Sequence, residues 1–101
     1  MSSKTNEIIL EMFEQRGYND IEEDPDMNTL TAMLGDEKIC AFCNPIEKLN
    51  SNSLHTHIKL LIDMKINHGI LIYVTIPTSI VNTIVSKISD LNIYIELFDV
   101  N

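Results

Sequence analysis

The sequence predicts an α/β domain with a mixed four-stranded sheet, built as an N-terminal β-hairpin followed by β-α-β-α-β crossovers. Three observations carry this. Apolar residues recur at helical spacing in three separate segments. Two extended runs flank the short turn Gly35-Asp36-Glu37. Two β-branched and aromatic runs, Ile70–Thr75 and Ile93–Phe98, are separated by one of the helical segments. Strand–helix–strand units require right-handed crossovers and parallel neighbours, whereas the hairpin must be antiparallel.

Each element has its own signal. Ile8, Ile9, Met12 and Phe13 form one stripe of a helix over about Thr5–Arg16, which Ser2 or Ser3 can cap. Gly17 supplies the left-handed stop, and Tyr18 returns toward the apolar face. Residues 19–27 hold Asp20-Ile21-Glu22-Glu23-Asp24-Pro25-Asp26, a self-repelling run with no apolar period, which reads as a solvated acidic linker. Asn28–Leu34 and Lys38–Cys43 read as the hairpin strands, with Pro45 ending the second because it cannot donate to a ladder. Ser51 or Ser53 then caps a helix whose stripe is Leu54, Ile58, Leu61, Ile62 and Lys65, and Asn67-His68-Gly69 stops it. Ile70–Thr75 is apolar on both faces, as a strand covered by two helical layers must be. The last helix runs to about Ser89 with the stripe Ile80, Val81, Ile84, Val85 and Ile88. Its β-branched content means that burial rather than propensity has to hold it. The final strand is Ile93–Phe98.

Composition limits what such a domain does. The chain has 101 residues, room for one domain, with 45% apolar and 22% charged residues. Its net charge of −8 opposes stand-alone binding to nucleic acid or an anionic membrane, since both depend on attraction to phosphate. The first fifty residues carry eleven acidic and four basic side chains, hence −7; the remainder carries four and three, hence −1. The acidic run is thus a solubilising connector or a docking patch for a basic partner. No apolar run is long enough for a membrane helix, and the first residues lack a secretory pattern. Two cysteines make no disulfide scaffold, so a reducing, intracellular setting is expected.

The reactive residue types form no recognisable constellation. Cys40 and Cys43 have C-x-x-C spacing, but no second pair completes a zinc ribbon. On a strand, the two thiols point to opposite faces. His55 and His57 do not face each other on a helix, and His68 reads as a helix-end cap. Gly17, Gly35 and Gly69 are isolated, which excludes a glycine-rich phosphate loop. No cofactor, metal or small-molecule ligand is expected. The predicted architecture also matches the core of the restriction-endonuclease-like fold, so a nuclease is the enzymatic alternative. That chemistry needs carboxylates and a lysine converging on a metal. Asp36-Glu37-Lys38 offers the residue types but in a contiguous turn, and Ile39–Cys43 offers none.

The ordered pattern resembles the N-terminal jaw domain of the fifth subunit shared by eukaryotic-type DNA-directed RNA polymerases. The similar parts are a helix ending in Arg16-Gly17-Tyr18, an acidic linker, a hairpin carrying Phe42, and the loop Asn44-Pro45-Ile46-Glu47-Lys48. A helix and the apolar strand follow, leading into Ile76-Pro77-Thr78-Ser79, like the family's Thr-Pro-Ser-type turn. The likeness spans about Glu7–Phe98. It implies a single jaw-like domain over 1–101, an endonuclease-like core without its active site, and a non-catalytic structural role in transcription. It further implies the large polymerase subunits as partners. Pro77, Thr78 and Ser79 would form a DNA-proximal turn touching downstream backbone weakly and only inside the complex. The family's C-terminal assembly domain is expected to be absent here, and the linker is shorter than in cellular subunits. A compact, Ile- and Asn-rich version suits the polymerase of a large DNA virus. Its expected location is therefore the nucleus, or the virion or cytoplasmic factory of a virus. A generic acidic protein-interaction module is the remaining alternative.

Overall fold

The computed structural model describes residues 4–99. Helix α1 (Lys4–Gln15) is followed by strands β1 (Asn19–Asp24), β2 (Thr29–Leu34) and β3 (Glu37–Ile46). Then come α2 (Ser51–Met64), β4 (His68–Tyr73), α3 (Ser79–Ile88), a single 3₁₀ turn (Ser89–Leu91) and β5 (Tyr94–Asp99). The five strands form one open mixed sheet in sequential order. β2 runs antiparallel to its neighbours β1 and β3, while β3, β4 and β5 are parallel.

The α/β class, the hairpin and both crossovers are as expected, but the sheet has five strands rather than four. The extra strand is the acidic segment taken as a linker. Every residue of β1 is exposed, so its side chains carry no alternation, and it needs only one neighbour to pair with. Its pairing breaks between Asn19 and Glu22, where Asp20 adopts φ 52°. Asp24 then closes the turn by accepting from the amides of Asp26 and Met27 at 3.0 and 3.3 Å.

Strand alternation divides the core into two layers. On one face α1 places Ile9, Phe13 and the following Tyr18 over Leu30, Ala32, Ile39, Ala41, Ile70 and Ile72. On the other, α2 and α3 cover Cys40, Phe42, Leu71 and Ile95 with Leu54, Leu61 and Val81. Two crossovers of one hand, stepping the same way along a sheet, put both helices on one face. Cys40 and Cys43 accordingly fall in opposite layers, both fully buried.

The helix ends show which local signals won. After α1, Gly17 takes φ 81° and the Tyr18 amide reaches back to the Phe13 carbonyl at 2.9 Å, so the expected stop holds. The Ser2 and Ser3 caps lie outside the described residues. For α2 the cap is Asn50 rather than either serine. Asn50 Oδ1 accepts from the Ser53 amide, and Ser53 Oγ accepts from the Asn50 amide, a reciprocal capping box with both distances 3.0 Å. Lys65, left-handed at φ 59°, ends α2 two residues before the expected stop at Asn67-His68-Gly69. His68 and Gly69 belong to β4, so His68 caps no helix. Pro45 does not end β3 either. It sits in the register break between Phe42 and Ile46, where no ladder amide is required. The apolar stripes are less buried than their spacing suggests: Ile8, Ile62 and Ile80 are 50%, 56% and 49% exposed, and only Val81 of α3 is fully buried.

Gly69 sets the distance between α2 and the sheet. A Cβ there would lie 2.6 Å from Leu61 Cδ1 and 3.2 Å from Cδ2, and Leu61 itself is fully buried. Gly69→Ala is therefore expected to destabilise the domain by about 1–3 kcal/mol, the cost of overpacking. In a Leu61→Ala background that cost should largely vanish. A urea double-mutant cycle measures the coupling, and strict additivity would refute the steric explanation.

Candidate functional site

Parallel strands preceding helices present backbone and loops at their carboxyl ends, where α/β sheets ordinarily place their ligand contacts. Here that end of β4 leads through residues 74–78 into α3. The Val74 amide donates to the Ile46 carbonyl at 3.1 Å, holding the start of this turn to the end of β3. Ile76 precedes Pro77, which disfavours helical backbone at that position, and its side chain is 85% exposed. Thr78 is the N-cap, extended at φ −67°, ψ 157°, with its carbonyl accepting from Val81 at 3.0 Å.

The Thr78 hydroxyl makes no capping hydrogen bond, contrary to a purely local role in closing its own helix. Ser79 uses its carbonyl to accept from Thr83 Oγ1 at 3.3 Å. Thr78 and Ser79 are exposed and Pro77 is half-buried. The turn thus combines the positive end of a ten-residue helix, two exposed hydroxyl residues and no side-chain acceptor on its first amides. It can donate to an anion's oxygens. No carboxylate, thiol, lysine or histidine lies in residues 74–80, so the turn's own segment carries hydroxyls but no general base.

A second polar constellation occupies the opposite, amino end of the parallel strands, on the α1 face. Arg16 grips Glu96 with two hydrogen bonds, 2.9 Å to Oε2 and 3.0 Å to Oε1. His68 Nε2 lies 2.9 Å from the same Oε2. Its Nδ1 sits 3.5 Å from Glu37 Oε1 but without hydrogen-bonding geometry, and that buried nitrogen has no hydrogen-bond partner. Burial pushes the Glu96 carboxyl up, yet the hydrogen bonds from Arg16 and then His68 outweigh it and leave its pKa below the ordinary value. The same bond to Glu96 raises Arg16. Tyr18, next to this cluster, is raised by burial first and by Glu37 second. This network ties the end of α1 to β5 across eighty residues of chain. No local pattern encodes it, which is why it escaped sequence reasoning.

The other candidates are dispersed. His57 packs edge-on against Phe42 with ring centroids 4.8 Å apart, and its Nδ1 lies 2.7 Å from the Ser53 carbonyl oxygen. His55 is exposed on the same helix. Glu37 and Lys38, adjacent on β3, alternate faces and Asp36 lies in the turn, yet all three border one open cavity of about 360 Å³ with Lys65, Ile66 and Asn67. Among the described residues no group of three or more His, Cys, Asp or Glu is arranged to hold a metal ion. Burial, with a smaller push from Cys43, raises the Cys40 thiol to about 12. Burial, with Glu23 second, raises Cys43 to about 11.

Two measurements follow. Both thiols should resist an alkylating reagent in the folded protein at pH 8 and react fully in denaturant; rapid native labelling would contradict their burial. Glu96 titrates lower in the folded state than in the unfolded chain. Its contribution is therefore complete above about pH 4.5, the ordinary value, and fades as pH falls through its folded value. Side-chain exposures of 37% for Arg16 and 31% for Glu96 limit that contribution, through solvent screening, to about 1 kcal/mol or less. Glu96→Gln should accordingly be less stable than the parent at pH 7, with the gap narrowing as pH is lowered below about 4.5, by urea unfolding. A gap that persists in acid would assign the loss to packing.

A scan against protein-family models finds no match, and a search of curated proteins likewise finds none. No helix among the described residues is long and apolar enough to cross a membrane.

Proposed function

We propose that this chain is a non-catalytic structural module of a multisubunit DNA-directed RNA polymerase, a jaw-like domain near downstream duplex DNA. The observation that carries it is the turn Ile76-Pro77-Thr78-Ser79: exposed, at the carboxyl end of a parallel strand, opening a helix whose first amides have no side-chain acceptor. The resemblance of the ordered motifs supplies the class of complex. The hairpin joined to two crossovers is compatible with an endonuclease-like core.

Charge decides how DNA could be touched. The cationic contacts that drive DNA affinity are scarce on a chain of −8, so amides and hydroxyls at one turn would position a duplex already held by other subunits. Large polymerase subunits are the partners this requires, in the nucleus or, for a viral enzyme, in the virion or a cytoplasmic factory.

The test is affinity purification of the tagged full-length gene product from the cells or virions that make it. Stoichiometric recovery of the two largest polymerase subunits is expected, together with no shift of duplex DNA by the purified chain alone at 150 mM salt. Recovery as a clean monomer would refute the proposal, and so would divalent-dependent nicking of plasmid by the chain, which Asp36→Ala and Glu37→Ala would trace to the nuclease alternative.

A further inference from the structure

The two crossovers leave part of the sheet bare. α2 and α3 pack over β3, β4 and β5, so the same face of β1 and β2 has no helix above it. Residues paired across that face are Glu22 with Thr31 and Asp24 with Thr29. Together with Glu23, Met27 and Lys38 they line a shallow groove of about 300 Å³ whose far wall is Met64 and Ile66 at the end of α2; its three carboxylates against the one Lys38 ammonium leave it acidic. Beyond it, β1 is the sheet's edge, with every residue exposed.

We propose that this edge and groove receive an extended, lysine- or arginine-bearing segment of a partner protein, added beside β1 as a sixth strand. An edge strand offers alternate unpaired amides and carbonyls, which is the template for strand addition. Side chains choose the occupant. A strand beside β1 would set its alternate residues next to Glu22 and Asp24 on the groove face and next to Glu23 on the other, so both sets meet carboxylates. A second copy of this chain is disfavoured, because edge-to-edge pairing would lay the same carboxylates against each other. Nucleic acid meets the same repulsion. Met64 on the groove's far wall offers apolar surface to the methylenes of a lysine or arginine whose cationic head meets the carboxylates. The register break and the left-handed Asp20 confine regular pairing to the Glu22–Asp24 end. The contact is therefore short, largely electrostatic and weakened by salt. It needs no part of the polymerase reading, since it uses the other end of the strand order from α3 and its turn.

The test is titration of the full chain with a fluorescent peptide of roughly eight residues alternating lysine and valine, at 50 and 300 mM salt. A glutamate–valine peptide and a short duplex DNA serve as controls. Amide hydrogen exchange and chemical shifts are read in parallel. Saturable binding of the lysine peptide alone is expected, weaker at high salt, with slowed exchange confined to β1 amides. Glu22→Lys/Glu23→Lys, on exposed positions that leave the Asp24 turn intact, should weaken it by about tenfold with an unchanged urea midpoint. Binding that survives the charge reversal, binding without added β1 protection, preference for the duplex, or self-association through β1 would each overturn the proposal.

Discussion

Everything in this molecule depends on the burial of β3 and β4 on both faces at once. Ile39, Ala41, Ile70 and Ile72 are packed under α1, while Cys40, Phe42 and Leu71 are packed under α2 and α3. A strand sealed on two sides cannot slip by one residue without exchanging its layers, so register, face and helix placement are fixed together. The near approach of Leu61 to Gly69 shows how tightly the second layer closes.

From that sandwich the two surfaces of interest follow without further assumption. Both helices that follow the parallel strands lie on one side, so the start of α3 faces outward at the carboxyl end of β4, and β1–β2 stay uncovered on that side. α1 alone must cover the opposite face. It is pinned at its end by Arg16 on Glu96, which in turn holds His68. The polar network is thus a strut between the first helix and the last strand. Neither surface uses a buried thiol: Cys40 and Cys43 lie inside the two layers, and burial raises both.

How legible this was depends on the range of each signal. The hairpin, both crossovers and the three helices are encoded by periodicity within single segments, and the opposed faces of Cys40 and Cys43 follow from strand geometry. β1 was hidden because an all-exposed edge strand has no alternation to read; its acidic residues satisfy the same composition as a loop. The Asn50–Ser53 cap had a local signal, an Asn three residues before a Ser, but two nearby serines competed with it. The Arg16–Glu96–His68 network joins residues from three distant elements, so only the fold reveals it. At the turn, Pro77, Thr78 and Ser79 were identifiable from sequence, whereas the missing side-chain cap on α3 is a fact of conformation.

Methyl-resolved NMR of the chain tests the two-layer arrangement most directly. Nuclear Overhauser contacts should join the Phe13 ring to the layer of Ile70 and Ile72, and the Leu61 methyls to Gly69 and the layer of Leu71 and Val81, with no contacts crossing between the sets. Contacts from Leu61 to Ile70, or from Phe13 to Leu71, would place the helices on the wrong faces and contradict the account.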